Sequence, residues 1–183
     1  MSATPPRNNN VKPPFLMIGD SLVAGFDWQN RLPAFEVLNF GIPGFTTGEL
    51  LTSLPQIQKK CSSPKLILVM IGTNDFLMGN HDFTEDLKKI VVWLSNSYPA
   101  AETMVNSLLP IRCPHDHEAI IEINRIIAGI CRDTASCYID VYSRFTKSDI
   151  ELFETDGVHL TDAGYELWTR TLFEYVAFLM END

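Results

Sequence analysis

The chain has no apolar run close to the roughly 20 residues that a membrane-spanning helix needs, so stable insertion into a bilayer is not expected. It is also short of positive charge. Lys and Arg together number 14 against 23 Asp and Glu, a net charge of -9. That balance repels a phosphate backbone over most of the surface and excludes nucleic acid as a partner class. Cysteine is sparse: Cys61, Cys113, Cys131 and Cys137, with no C-x-x-C pair. This spacing offers no disulfide framework and reads as free thiols. The string Cys113-Pro-His115-Asp-His117 lacks a fourth ligand at a characteristic spacing, so no metal site is expected there. Neither G-x-G-x-x-G nor G-x-x-x-x-G-K-[ST] occurs, which removes the common phosphate cradles. Met1 to Pro14 is polar and proline-rich, without the apolar stretch of a secretory signal. It reads as a flexible tail over residues 1–14 on a cytoplasmic protein.

What is present is an ordinary globular balance. Of 183 residues, 45% are apolar, enough for one full core. No linker, internal repeat or low-complexity block divides the chain, so residues 15–183 are expected to form one domain. Five short apolar runs read as strands: Phe15–Ile18, Phe35–Asn39, Leu66–Ile71, Thr103–Asn106 and Cys137–Val141. Helical patterns separate them. Asp82-Phe83-Thr84-Glu85 offers an N-terminal cap signal ahead of Leu87, Ile90, Val91 and Leu94. Ala119, Ile120, Ile123, Ile127 and Ile130 form a second stripe. Thr161 can cap a last helix carrying Ala163, Leu167, Trp168, Leu172, Val176 and Leu179. Thr46–Lys60 is helical in pattern but is expected to be cut by Pro55. Buried strands alternating with helices imply an α/β fold, a three-layer α/β/α sandwich with right-handed crossovers. In such sheets, sites form beyond the carboxyl ends of the strands.

The polar residues at those ends carry chemistry. Ser21 follows the first strand in Gly19-Asp20-Ser21-Leu22. Asn39 and Gly41 close the second strand, and Gly72-Thr73-Asn74-Asp75 follows the third. Asp156-Gly157-Val158-His159-Leu160 precedes the last helix. A serine hydroxyl needs a base within hydrogen-bond reach to act as a nucleophile. His159 is the candidate base, and Asp156, three residues back, is the candidate partner for its other ring nitrogen. The N–H groups of Ser21 and Gly41 and the side-chain amide of Asn74 are candidate donors to a developing oxyanion. Ser21 can equally cap the following helix, Gly41 can be a turn glycine beside Pro43-Gly44, and Asn74 can form an Asx turn.

Taken in order, these four strings resemble the blocks of the SGNH (GDSL-type) hydrolase family of esterases and lipases, from about Phe15 to Met180. The resemblance implies a flavodoxin-like five-stranded parallel sheet ordered 2-1-3-4-5. It implies Ser21 as nucleophile, Asp156 and His159 as its acid and base, and Ser21, Gly41 and Asn74 as the oxyanion hole. Asp20 and Asp75 match block positions and are given turn or supporting roles. No cofactor and no metal are implied, and the partner is a small-molecule ester. Phe45, Phe76, Leu77 and Met78 are candidate acyl contacts. Core or loop-anchoring packing is the alternative for these four. The loops Phe76 to Gly79, Pro110 to His117 and Tyr142 to Phe153 are the candidate walls, and His115 and His117 read as solvated loop histidines rather than rim residues. A chain this short leaves little for a lid, which favours short acyl or accessible ester groups. Thioesterase, lysophospholipase and carbohydrate acetylesterase use the same residues. A noncatalytic flavodoxin-like binding module is the alternative from another class. Oligomeric state stays open.

Overall fold

The computed structural model describes residues 12–112 and 117–181. Strand β1 spans Pro14–Gly19, β2 Glu36–Gly41, β3 Leu66–Met70, β4 Glu102–Asn106 and β5 Cys137–Ile139. All neighbouring pairs are parallel, and the order is β2-β1-β3-β4-β5. The two central strands are sealed on both faces. Phe15 to Ile18 and Leu66 to Met70 are essentially without solvent exposure, which is why both read as unbroken apolar runs. The edge strand β2 is partly exposed along its length.

Eight helices complete the described fold: α1 Ser21–Ala24, α2 Trp28–Arg31, α3 Thr47–Lys60, α4 Thr73–Leu77, α5 Thr84–Ser97, α6 His117–Asp133, α7 Val141–Thr146 and α8 Asp162–Glu181. Helices α3, α5 and α6 pack side by side. The chain steps from β1 outward to β2 and then returns past β1 to β3. Right-handed crossovers therefore place α1 and α2 on the opposite face from α3 and α5. The strand order reverses between β1 and β3, so a crevice opens beyond their carboxyl ends.

Helix α8 is locked to the start of the chain. Trp28 and Trp168 cross edge to face at 4.9 Å, and Phe26 stacks on Tyr165 at 4.3 Å. Trp28 Nε1–H donates to Val23 O at 2.8 Å, Tyr165 O–H to Leu22 O at 3.1 Å, and Trp168 Nε1–H to Asn106 Oδ1 at 2.8 Å. Buried aromatics with a satisfied polar tip are strong anchors. This packing brings the loop before α8 over the turn after β1.

Four expectations are corrected. Helix α3 runs through Pro55 without a break. A reciprocal capping box between Thr46 and Glu49 starts it, and burial of Leu50, Leu54 and Ile57 holds it on both sides of the proline. Asp82 does not cap α5, whose N-terminal boundary is Phe83 with no side-chain cap. The last strand stops at Ile139, because the Asp140 carboxylate accepts from Ser143 N–H at 3.0 Å and turns Val141 into helix. The segment after it, read as loop from Tyr142, is therefore helical as far as Thr146.

Candidate active site

The turn after β1 is made by Asp20. Its Oδ1 accepts from Leu22 N–H at 2.9 Å and caps α1. Asp20, not Ser21, is thus the cap residue, and Ser21 is the first residue of the helix. The Ser21 N–H is one of the first donors of α1 and has no intrahelical acceptor. Gly19 makes the close approach possible: a Cβ there would lie 1.9 Å from Met70 O on β3.

The loop before α8 is a small hairpin. Phe153 and Leu160 form an antiparallel bridge, Glu154 N–H donates to His159 O at 2.8 Å, and Thr161 N–H donates to Leu152 O at 3.0 Å. Within it, Asp156 Oδ1 accepts from the N–H groups of Val158 and His159, each at 2.9 Å. Gly157 has a φ of 72°, and its carbonyl accepts from Arg112 N–H at 2.7 Å. A Cβ on Gly157 would meet Arg112 O at 2.7 Å. Thr161 Oγ1 accepts from Gly164 N–H at 3.2 Å, the expected cap of α8.

These two segments meet. His159 Nε2 lies 3.1 Å from Ser21 Oγ across 138 residues of sequence, and His159 Nδ1 lies 2.6 Å from Asp156 Oδ2. An ionised carboxylate only accepts, so Nδ1 carries the proton in the neutral ring. The lone pair of Nε2 then faces the serine hydroxyl. The hydrogen bond from His159 is the main reason the Asp156 carboxyl is pulled down to about 2, with the two backbone N–H groups adding to it. Asp156 and His159 are both half exposed in their side chains. Asp20 behaves in the opposite way: it is fully buried, and burial pushes its carboxyl up to about 6.

The expected oxyanion donors lie around this contact with different commitments. Asn74 sits in α4, not in an Asx turn, and its Nδ2 donates to Phe45 O at 2.8 Å. One bond fixes the amide and leaves its second N–H. Gly41 N–H donates to Asn39 Oδ1 at 2.9 Å, and Asn39 Nδ2 donates to Val23 O at 3.0 Å. Asn39 therefore ties the end of β2 to α1 and occupies the Gly41 donor. Asp75 Oδ2 accepts from Thr47 N–H at 2.8 Å and Thr47 Oγ1–H at 2.9 Å, which pins the start of α3 beside α4.

Of the suggested acyl contacts, Phe76 is a core residue, 2% exposed and stacked on His81 at 5.0 Å. Phe45 and Leu77 pack partly buried against the core, and Met78 stands 71% exposed. His117 is exposed at the start of α6, while Cys113 and His115 lie outside the described residues. No group of three or more metal-ligating side chains occurs among the described residues. Among those same residues, no helix is long and apolar enough to cross a membrane. The clasp of Arg112 on Gly157 was not visible in the sequence. It is a backbone contact, and a backbone contact leaves no residue signature.

A doubly wound α/β sheet with a carboxylate, an imidazole and a hydroxyl in line beyond its strand ends defines a class of protein. The chain belongs to the GDSL-like lipase/acylhydrolase family, whose model matches residues 17–167. It is similar to the platelet-activating factor acetylhydrolase IB subunit alpha1 of Rattus norvegicus, with 28% identity over 187 residues, covering 96% of this chain and 80% of that protein. Its fold matches a member of the lipolytic protein G-D-S-L family from Veillonella parvula, with a TM-score of 0.77, 19% identity, and coverage of 88% of this chain and 96% of the other. It also matches an acetyl xylan esterase from Geobacillus stearothermophilus, with a TM-score of 0.73, 17% identity, and coverage of 90% and 94%.

Proposed function

We propose that the protein is a serine hydrolase that cleaves carboxylic esters through an acyl-enzyme, acting on short acyl or accessible ester groups. The observation that carries this reading is the unbroken hydrogen-bonded line from Asp156 through His159 to Ser21, at 2.6 and 3.1 Å. His159 accepts the hydroxyl proton as Ser21 Oγ attacks the ester carbonyl carbon. The resulting imidazolium is held by Asp156. Ser21 N–H and the second N–H of Asn74 receive the carbonyl oxygen as it becomes an oxyanion. Gly41 N–H joins them as a donor shared with Asn39 Oδ1. One such donor is worth about 2.7–4 kcal/mol of barrier. His159 then protonates the leaving alcohol, and water repeats the cycle on the acyl-enzyme to release the acid.

The short-acyl preference draws on two points. Phe76, one of the two phenylalanines among the suggested acyl contacts, is in the core and unavailable to substrate. The name of the Rattus norvegicus relative describes removal of an acetyl group. The test is hydrolysis of nitrophenyl esters of increasing acyl length, with acyl thioesters, lysolipids and acetylated sugars alongside. The expected result is a kcat/KM highest for acetyl to butyryl oxygen esters and absent in Ser21→Ala. A preference for long chains or thioesters rejects the substrate reading. Equal activity in Ser21→Ala rejects Ser21 as the nucleophile, and no activity in the folded wild type returns the chain to the noncatalytic alternative.

A further inference from the structure

The segment that leaves β4 ends in the Arg112 brace, and its backbone is held in an unusual way. Ladder pairing of β4 with β5 ends at Asn106 and Ile139, and Ser107 N–H still donates to Ile139 O at 3.0 Å. Beyond that point the chain stays in the core: Leu108, Leu109 and Ile111 are almost fully buried. A buried backbone must place its polar groups. One side chain does this for Leu108. Asn124 Oδ1 accepts from Leu108 N–H at 2.7 Å, and Asn124 Nδ2 donates to Leu108 O at 3.0 Å. Asn124 is itself buried, and it interrupts the apolar stripe of Ile120, Ile123, Ile127 and Ile130 on α6. An amide in that stripe is costly unless both its ends are used, and the Leu108 backbone uses both. Ile111 N–H then turns back to Leu109 O at 2.8 Å, and Arg112 N–H reaches Gly157 O at 2.7 Å.

Resting on the esterase reading above, we propose that Asn124 is a positioning residue for the acid–base loop: its two bonds fix Leu108, and the segment from Leu108 to Arg112 sets how far His159 stands from Ser21. The contact that this path controls is specific. Gly157 lies between Asp156 and His159, so the Arg112 brace grips the loop at its middle. Asp156 and His159 are joined to each other within the loop, whereas Ser21 stands on α1. A shift of the loop therefore leaves the 2.6 Å carboxylate–imidazole bond intact and opens the 3.1 Å contact to Ser21 Oγ. Misplacing a reacting group by about 1 Å costs on the order of 100-fold in rate. The loss falls on kcat, because that distance governs proton transfer rather than ester binding. Asn124 acts on these atoms through the backbone, from inside α6.

The experiment is steady-state kinetics on an ester that the wild type cleaves, together with the rate of fluorophosphonate labelling, Tm and the downfield proton resonance of His159 Nδ1–H. Asn124→Ala removes both bonds. It is expected to lower kcat and the labelling rate about tenfold or more, with KM within about twofold and the resonance retained. Ile130→Ala, on the same stripe at the far end of α6, is the control for lost core stability and is expected to keep kcat within about twofold. Arg112→Pro deletes the N–H that reaches Gly157 and should reproduce the Asn124→Ala loss. In the double variant the loss should not exceed the worse single by more than about twofold, because one path is cut twice. The inference is overturned by a folded Asn124→Ala with kcat close to wild type, by an equal loss in Ile130→Ala, by disappearance of the His159 resonance in folded Asn124→Ala, or by losses that multiply in the double variant. An unfolded Asn124→Ala passes the decision to Asn124→Asp, which keeps the acceptor for Leu108 N–H and loses the donor to Leu108 O, and to Arg112→Pro; unchanged kcat in either overturns it. A wild type that neither cleaves esters nor takes the probe sinks the esterase reading as well. An active wild type with insensitive variants sinks only the role of Asn124.

Discussion

The turn after β1 and the loop before α8 supply the two sides of one 3.1 Å contact, yet they are built in opposite ways. The turn lies in the core. Asp20 and Leu22 are fully buried, and Gly19 touches β3 so closely that no side chain fits. The loop is rooted in the core by Leu152, Phe153 and Leu160 but carries Asp156 and His159 half exposed at its tip, where the bonds of the Asp156 carboxylate to the backbone of Val158 and His159 shape it. Even the carboxyls diverge: Asp20 is pushed up to about 6 by burial, and Asp156 is pulled down to about 2 by its hydrogen bonds. The contrast teaches that stability and chemistry are coupled on the serine side and separable on the imidazole side.

The largest expected effects are on rate alone. Ser21→Ala and His159→Gln should each reduce kcat by about six orders of magnitude, with a Tm close to wild type, read by ester hydrolysis and calorimetry. Asp156→Asn should cost about four orders of magnitude, because the neutral amide no longer fixes the ring tautomer. A large drop in Tm for His159→Gln or Asp156→Asn would break the separation on the imidazole side.

The glycines sharpen the comparison. Gly19→Ala places a methyl group against Met70 O and should cost about 3 kcal/mol or more in denaturant unfolding. Gly157→Ala meets a 72° φ and the Arg112 carbonyl. The backbone conformation alone should cost about 1–2 kcal/mol, and because the clash with Arg112 O moves the loop that carries His159, the rate loss should be much larger than the stability loss implies. Equal stability losses in the two variants would contradict the contrast.

Asp20→Asn should stabilise the fold at neutral pH. Folding raises this carboxyl from 3.8 to about 6, so the native state binds the proton more tightly than the unfolded chain. The wild type therefore carries a penalty of about 3 kcal/mol above pH 6, which disappears below about pH 4. The gain in the asparagine variant should be about 1–3 kcal/mol at pH 7 and vanish in acid. Asp156 has the opposite sign: its contribution is present above pH 4 and is lost as pH falls through 2. Urea unfolding across pH reads both. The smallest effect belongs to Arg112→Ala, which loses an exposed ion pair to Glu151 at 2.7 Å. It should cost less than about 1 kcal/mol, because the bond to Gly157 uses the backbone.

Much of the fold was legible where one physical demand dominated. Strands sealed on both faces gave the runs at Phe15 and Leu66, and the amphipathic stripes at Leu87 and Ile120 marked helices. The sheet order came only through the family resemblance, since periodicity carries no lateral information. The misreadings share a cause. Pro55, Asp82 and Val141 were judged by local preference, and tertiary packing or a neighbouring cap decided otherwise. At the site, Ser21, Asn74, Asp156 and His159 stood out because their side chains carry chemistry. The commitment of Gly41 N–H to Asn39, the anchor of Asn74 on Phe45 O and the brace of Arg112 are backbone events without a residue code.

The most direct measurement is reaction of the intact protein with a fluorophosphonate probe, followed by peptide mapping, in wild type and His159→Gln. The account predicts a single adduct on Ser21 in the wild type and loss of labelling in the variant. An adduct on another residue, or labelling of Ser21 at the same rate without His159, would contradict it.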